Sequence, residues 1–129
     1  MFNFKVYYED TDSGGVVYYA NYLKFLERAR TELIHSLGLT NKKLLQSFDL
    51  LFVVRSCEIE YLKPAYLEDL LAVRTNLEKI SKVQMYLNQF IFRDKEIIVK
   101  ARIRIAFVNS KGKILKLPNE LSLKLGMIK

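Results

Sequence analysis

Three acids stand together early in this 129-residue chain: Glu9, Asp10 and Asp12, within the segment Tyr7–Glu32, YYEDTDSGGVVYYANYLKFLERARTE. A Gly14-Gly15 pair follows Asp12, and an amphipathic pattern begins at Asn21. A carboxylate and a helix N-terminus are thus set close together along the chain. That pairing suits acyl transfer: the carboxylate acts as base or nucleophile, and free backbone N–H groups hold an oxyanion. The same acids could bind Ca²⁺ or Mg²⁺ through oxygen. A full EF-hand loop is absent, because apolar Val16 and Val17 intervene and no Glu stands at the twelfth position. The plainer alternative for Asp10 and Asp12 is a solvated turn with local side-chain-to-backbone bonds.

Other chemistries find less support. His35 is the only histidine, and a Ser-His-Asp or Cys-His site would need it. It falls late on the helical pattern, on the polar side, where an exposed histidine near the C-terminal dipole is the simpler reading. No G-x-S-x-G elbow accompanies it. Cys57 alternates with apolar residues and reads as a small core side chain. A zinc site lacks its His/Cys set. The glycines form neither a Walker loop nor a G-x-G-x-x-G fingerprint.

Half the residues are apolar, so disorder is not expected, and the length suits one domain spanning 1–129. No linker, repeat or low-complexity tract divides it. MFNFKVYYED lacks the apolar stretch of a signal peptide, and the single cysteine excludes an internal disulfide. A cytoplasmic location is expected. The formal excess of +7 resides in residues 95–129, where only Glu96 and Glu120 oppose the Lys and Arg side chains. Such a basic part suits an anionic partner or serves as a solubilising face. No nucleic-acid motif accompanies it, and nucleic acid is not an expected partner.

The elements that must hold the acids follow from periodicity. Phe2–Tyr8 reads as a strand and Asp10–Gly15 as a loop. Tyr22, Phe25, Leu26, Ala29, Leu33 and Leu37 fall at helical spacing, with Lys24, Glu27, Arg28, Thr31, Glu32 and His35 on the wet side. Gly38 is placed to end this helix, and Thr40 to cap a short second one through Gln46. Alternation then predicts four strands. The first, Leu51 to Tyr61, has Leu51, Val53, Cys57, Ile59 and Tyr61 on one face, with Arg55 the exception. The second carries Leu71, Val73, Thr75 and Leu77, and the third, Val83 to Phe92, has unclear sidedness. The fourth sets Ile97, Val99, Ala101, Ile103, Ile105 and Phe107 opposite Lys100, Arg102 and Arg104. A turn at Asn109–Gly112 and a closing helix over Pro118–Leu125 complete the chain. Four strands without helical crossovers imply an antiparallel sheet, so the class is α+β.

The segment Tyr7–Glu32 resembles the hotdog-fold acyl-CoA thioesterases of the 4-hydroxybenzoyl-CoA thioesterase type, and looks closest to their YbgC branch, the Tol–Pal-associated bacterial thioesterases. The resemblance is carried by Tyr8-Glu9-Asp10-Thr11-Asp12, Gly15-Val16-Val17-Tyr18, Ala20-Asn21-Tyr22 and Glu27-Arg28-Ala29-Arg30. Tyr61-Leu62-Lys63-Pro64-Ala65 and Asp69-Leu70 extend it, and the order of elements covers nearly the whole chain.

This resemblance implies a hotdog fold, one long central helix wrapped by a curved antiparallel sheet. It also implies active sites at the interface of a homodimer, with dimers often joined as a homotetramer. It makes Asp12 the catalytic carboxylate, nucleophile or general base, and gives the backbone N–H of Tyr19 the task of polarising the thioester carbonyl. YbgC-type proteins usually carry His where this chain has Tyr19; the 4-hydroxybenzoyl-CoA enzymes carry Tyr. Coenzyme A would be part of the substrate, with no separate cofactor and no metal. Lys79 and Lys82, between two predicted strands, are candidates for its phosphates or simply a solvated basic turn. Association with phospholipid-synthesis or envelope proteins is suggested by the same resemblance.

Overall fold

The computed structural model describes residues 1–129. Strand β1 (Phe2–Lys5) leads through a 3-10 turn at Tyr8–Asp10 and a loop into helix α1 (Asn21–Ser36). Helix α2 (Asn41–Phe48) follows. Then come β2 (Leu51–Tyr61), β3 (Leu70–Ile80), β4 (Gln84–Arg93) and β5 (Glu96–Val108), and helix α3 (Asn119–Leu125) closes the order. The five strands form one antiparallel sheet ordered β1-β3-β4-β5-β2. Strands β1 and β2 are therefore its edges. No helix is long and apolar enough to cross a membrane.

Helix α1 lays Tyr22, Phe25, Leu26 and Ala29 against the sheet, as its spacing requires. They pack with Leu71 and Val73 of β3, Met85, Leu87 and Ile91 of β4, and Ile103, Ile105 and Phe107 of β5. Burying each such large side chain is worth about 1.5–3 kcal/mol. Gly38, at φ 79°, ends α1 as expected. The Thr40 side chain accepts the Lys43 N–H and caps α2, which continues past Gln46 to Phe48.

Three expectations are corrected. Strand β1 stops at Lys5, not Tyr8, because Asp10 Oδ2 accepts the Tyr7 N–H at 2.9 Å and turns the chain into the 3-10 segment. Leu51 and Val53 do not share a face with Cys57, Ile59 and Tyr61. A bulge between Val54 and Ser56 shifts the register, so Phe52 and Val54 stand on that face instead. Arg55, the misfit in the alternation, is the bulged residue. Likewise Ile97 lies opposite Phe92 on the outer face, because a second shift leaves Ile98 unpaired and sets Val99 opposite Ile91. The unclear strand resolves simply: Met85, Leu87, Gln89 and Ile91 of β4 point inward and are buried.

Candidate active site

The loop carrying the acids is a small hairpin. Thr11 and Val17 form a bridge, the Asp12 N–H donates to the Val16 carbonyl at 2.9 Å, and the Gly15 N–H donates to the Asp12 carbonyl at 3.1 Å. Gly15 takes φ 78°, a conformation that costs glycine little. The Asp12 carboxylate accepts the Gly14 N–H through Oδ1 at 2.8 Å and is otherwise exposed. The three acids thus have separate fates. Asp10 is buried, holding Tyr7, and its carbonyl accepts the Tyr18 N–H at 3.0 Å and Asn21 Nδ2 at 2.9 Å. Glu9 faces solvent. Only Asp12 is both fixed and open.

Those two bonds to the Asp10 carbonyl set where α1 begins. Its N-cap position is Ala20, with no side-chain cap and no acid in the first turn. The N–H groups of Tyr19 and Ala20 make no hydrogen bond within the chain. A helix start without a capping side chain leaves its positive end available to an anion. The residues following β2 support the hairpin from behind. Val17 N–H donates to the Ala65 carbonyl at 2.9 Å, Leu67 N–H to the Gly15 carbonyl at 3.1 Å, and Ala65 N–H to the buried Tyr22 hydroxyl at 3.0 Å. Burial pushes the Tyr22 phenol up, so it stays neutral.

Sequence reasoning missed what clamps this support. Arg93 Nη1 donates to the Pro64 carbonyl and to Asp69 Oδ2, both at 2.9 Å, and Asp69 Oδ2 also accepts the Tyr66 N–H at 2.9 Å. It also missed Arg30 and Gln89, joined at 2.9 Å beside a cavity of about 290 Å³ between α1 and β2. Glu27 and Thr31, assigned to the wet side of α1, line that cavity too. The available signal was Gln89 itself, a polar residue inside the inward alternation of β4.

Lys79 and Lys82 are not brought to Asp12 within one protomer. Lys79 ends near the Tyr86 ring, with Nζ 4.6 Å from its centroid, and Lys82 Nζ bonds Asn119 Oδ1. Leu70, where β3 starts beside the loop that backs the hairpin, is about 30 Å along the strand from Lys79. His35 is exposed in the last turn of α1. Burial pushes the half-buried Cys57 thiol up, which disfavours a reactive thiolate.

Residues 6–125 match the model of the thioesterase-like superfamily. The chain is 41% identical over 121 residues to the acyl-CoA thioesterase YbgC of Haemophilus influenzae, covering 93% of this chain and 89% of that protein. It is 43% identical over 88 residues to the acyl-CoA thioesterase YbgC of Helicobacter pylori, covering 68% of this chain but 63% of that protein. A crystal structure of a probable thioesterase from Bartonella henselae superposes with a TM-score of 0.87 at 37% identity, covering 91% of this chain and 97% of that one. With its five-stranded antiparallel sheet and long helix, the chain belongs to the thioesterase-like superfamily and has the hotdog fold.

Proposed function

We propose that this protein hydrolyses the thioester of an acyl-CoA, giving the free acid and coenzyme A. The observation that carries the reading is the pair of free N–H groups at Tyr19 and Ala20, at an uncapped helix start that follows the Asp12 hairpin. The thioester oxygen would accept from the Tyr19 N–H, whose hydrogen bond strengthens as negative charge develops. Asp12 would attack the carbonyl carbon directly, or take a proton from a water that does so. The Gly14 N–H holds one of its oxygens and leaves the other for the reaction.

The second part of the proposal is that two copies complete each site. Strand β2 is an 11-residue edge with one side unpaired, a surface that favours pairing with another strand. Two β2 strands paired antiparallel about a twofold axis would continue the sheet. The end of β3, with Lys79, and the turn after it, with Lys82, lie level with Val54, at the end of β2 opposite Tyr61. The partner's copy of this turn would then lie toward the Asp12 end, within reach of the phosphates of coenzyme A.

The test is thiol release from short, long and aromatic acyl-CoAs by wild type and Asp12→Asn. Asn retains an Oδ1 that accepts the Gly14 N–H, so the hairpin keeps its shape while the carboxylate is lost. Turnover by wild type and a loss of at least about 100-fold in the variant are expected. Equal rates would overturn the role of Asp12. No turnover by folded wild type would overturn the hydrolase reading and favour a protein that only binds acyl-CoA.

A further inference from the structure

Arg30 stands at an unusual place for a cation. It is largely buried in α1, and burial pushes its guanidinium down from the ordinary arginine range. Its one side-chain hydrogen bond goes from Nη1 to Gln89 Oε1, a neutral acceptor, at 2.9 Å. No carboxylate lies within ion-pair distance of it. Gln89 is 0% exposed and cannot turn away. Its Nε2 donates to the Leu26 carbonyl at 3.1 Å and to Thr75 Oγ1 at 3.0 Å, which fixes Oε1 toward Arg30. The other guanidinium nitrogens have no acceptor within the chain and are not sealed from solvent, and Arg30 lines the adjoining cavity.

The cavity is otherwise mainly apolar, with Ile34, Phe52, Val54 and Leu87 on its walls. It lies on the seam between α1 and β2. That seam begins where the Tyr61 hydroxyl meets the Tyr19 carbonyl. Leu23, Glu27, Arg30 and Ile34 follow one another down one stripe of the helix. Arg30 is about 15 Å along the axis from Ala20. An acyl chain that runs from a thioester at Tyr19 down this stripe of α1 would bring its far end to the cavity and to Arg30. Glu27 stands at the same cavity, with Oε1 accepting the Thr31 hydroxyl at 2.9 Å.

We propose that Arg30, held by Gln89, selects acyl chains whose far end carries a carboxylate. This rests on the thioesterase reading for the position of the thioester. A guanidinium largely taken from water, hydrogen-bonded only to a neutral amide and offset in part by the nearby Glu27 charge, gains from a carboxylate, whose two oxygens match its planar fork.

The experiment compares medium-chain acyl-CoAs ending in methyl with the mono-CoA thioesters of dicarboxylic acids of the same length, using wild type, Arg30→Met and Arg30→Lys. Wild type should favour the carboxylate-ended ester in kcat/KM by about 10- to 100-fold at one chain length or more. Arg30→Met should lose that preference, and Arg30→Lys should keep part of it. If Arg30→Met does not fold, Arg30→Gln carries the same comparison. Calorimetric binding of the same pairs decides the matter without turnover. An inactive wild type would thus sink the hydrolase reading while the role of Arg30 is still measured. Absence of the preference at every length, or its persistence in Arg30→Met, overturns the proposal. So does a variant that dissociates into monomers while the preference is unchanged, since the missing carboxylate would then come from a second copy.

Discussion

The Tyr61 hydroxyl donates to the Tyr19 carbonyl at 3.3 Å, tying the end of edge strand β2 to the start of helix α1. The two rings also meet edge to face at 6.3 Å. Tyr61 thereby steadies the backbone whose N–H is the proposed oxyanion donor. Tyr61→Phe keeps the ring and removes only the long hydrogen bond. The expected result is a fall in kcat of about 2- to 10-fold with little change in KM, read from steady-state kinetics. An unchanged kcat would show that the peptide carrying the Tyr19 N–H is held well enough by the bond from the Asn21 N–H to the Tyr18 carbonyl and by the Asp10 carbonyl beside it.

Much of this arrangement was legible beforehand because periodicity reports burial. The helical spacing of Tyr22, Phe25, Leu26 and Ala29 located α1, and the Asp/Gly cluster located the hairpin. The errors at Leu51, Val53 and Ile97 share one cause. Alternation carries a face forward only while pairing is regular, and a bulge reverses it; in β2 the misfit Arg55 marked the place, whereas nothing in the apolar run around Ile98 did. Arg30 was hidden for a different reason. It borders the apolar stripe of α1, where a long charged side chain ordinarily reaches water. Only Gln89, distant in sequence, reveals that this one turns inward. Lys79 and Lys82 were grouped with the site through resemblance, and the sheet places them at its far end.

The two glycines after Asp12 should respond differently to alanine. At Gly15 a Cβ meets nothing within 4 Å, but φ is 78°, so the cost is backbone strain of roughly 1 kcal/mol. Gly15→Ala should lower Tm by about 4 °C. At Gly14 the added Cβ would stand 3.3 Å from Asp12 Oδ1, with no positive φ to disfavour it. Gly14→Ala should lower kcat by pressing on the carboxylate while changing Tm less than Gly15→Ala does. Calorimetry and kinetics on the two variants give the comparison; the reverse pattern would remove Asp12 from the reacting centre.

On the outer face, Arg102 grips Glu78 with two bonds, Nε to Oε1 at 3.0 Å and Nη2 to Oε2 at 2.8 Å. Asn88 Nδ2 adds a third to Oε1 at 3.2 Å. The Arg102 hydrogen bonds hold the Glu78 carboxyl down at about 2, against an ordinary 4.5. A depressed carboxyl stabilises the fold above its unfolded value, and that contribution fades as pH falls from 4.5 toward about 2. Carboxyl carbon NMR should therefore show Glu78 titrating near the bottom of this window. In Glu78→Gln, the loss of stability across the same interval should be shallower than in wild type. A Glu78 that titrates at its ordinary value would show the bidentate pair to be open in solution.

The separation of Lys79 and Lys82 from Asp12 makes the shared-site proposal testable without a structure of the assembly. Lys79→Ala/Lys82→Ala should raise KM for acyl-CoA by about 10-fold, because contacts to the phosphates are lost. It should leave KM little changed for an acyl-pantetheine thioester, which lacks the nucleotide. If the lysines serve the partner's site, mixing this protein with Asp12→Asn and allowing subunits to exchange should regain activity. A heterodimer then holds one site with an intact Asp12 and intact lysines. At low acyl-CoA, where the doubly substituted protein is slow and Asp12→Asn is inactive, the mixture should exceed the sum of its components. Activity equal to that sum after exchange, verified by native mass spectrometry, would place both functions on one protomer or remove the lysines from the site.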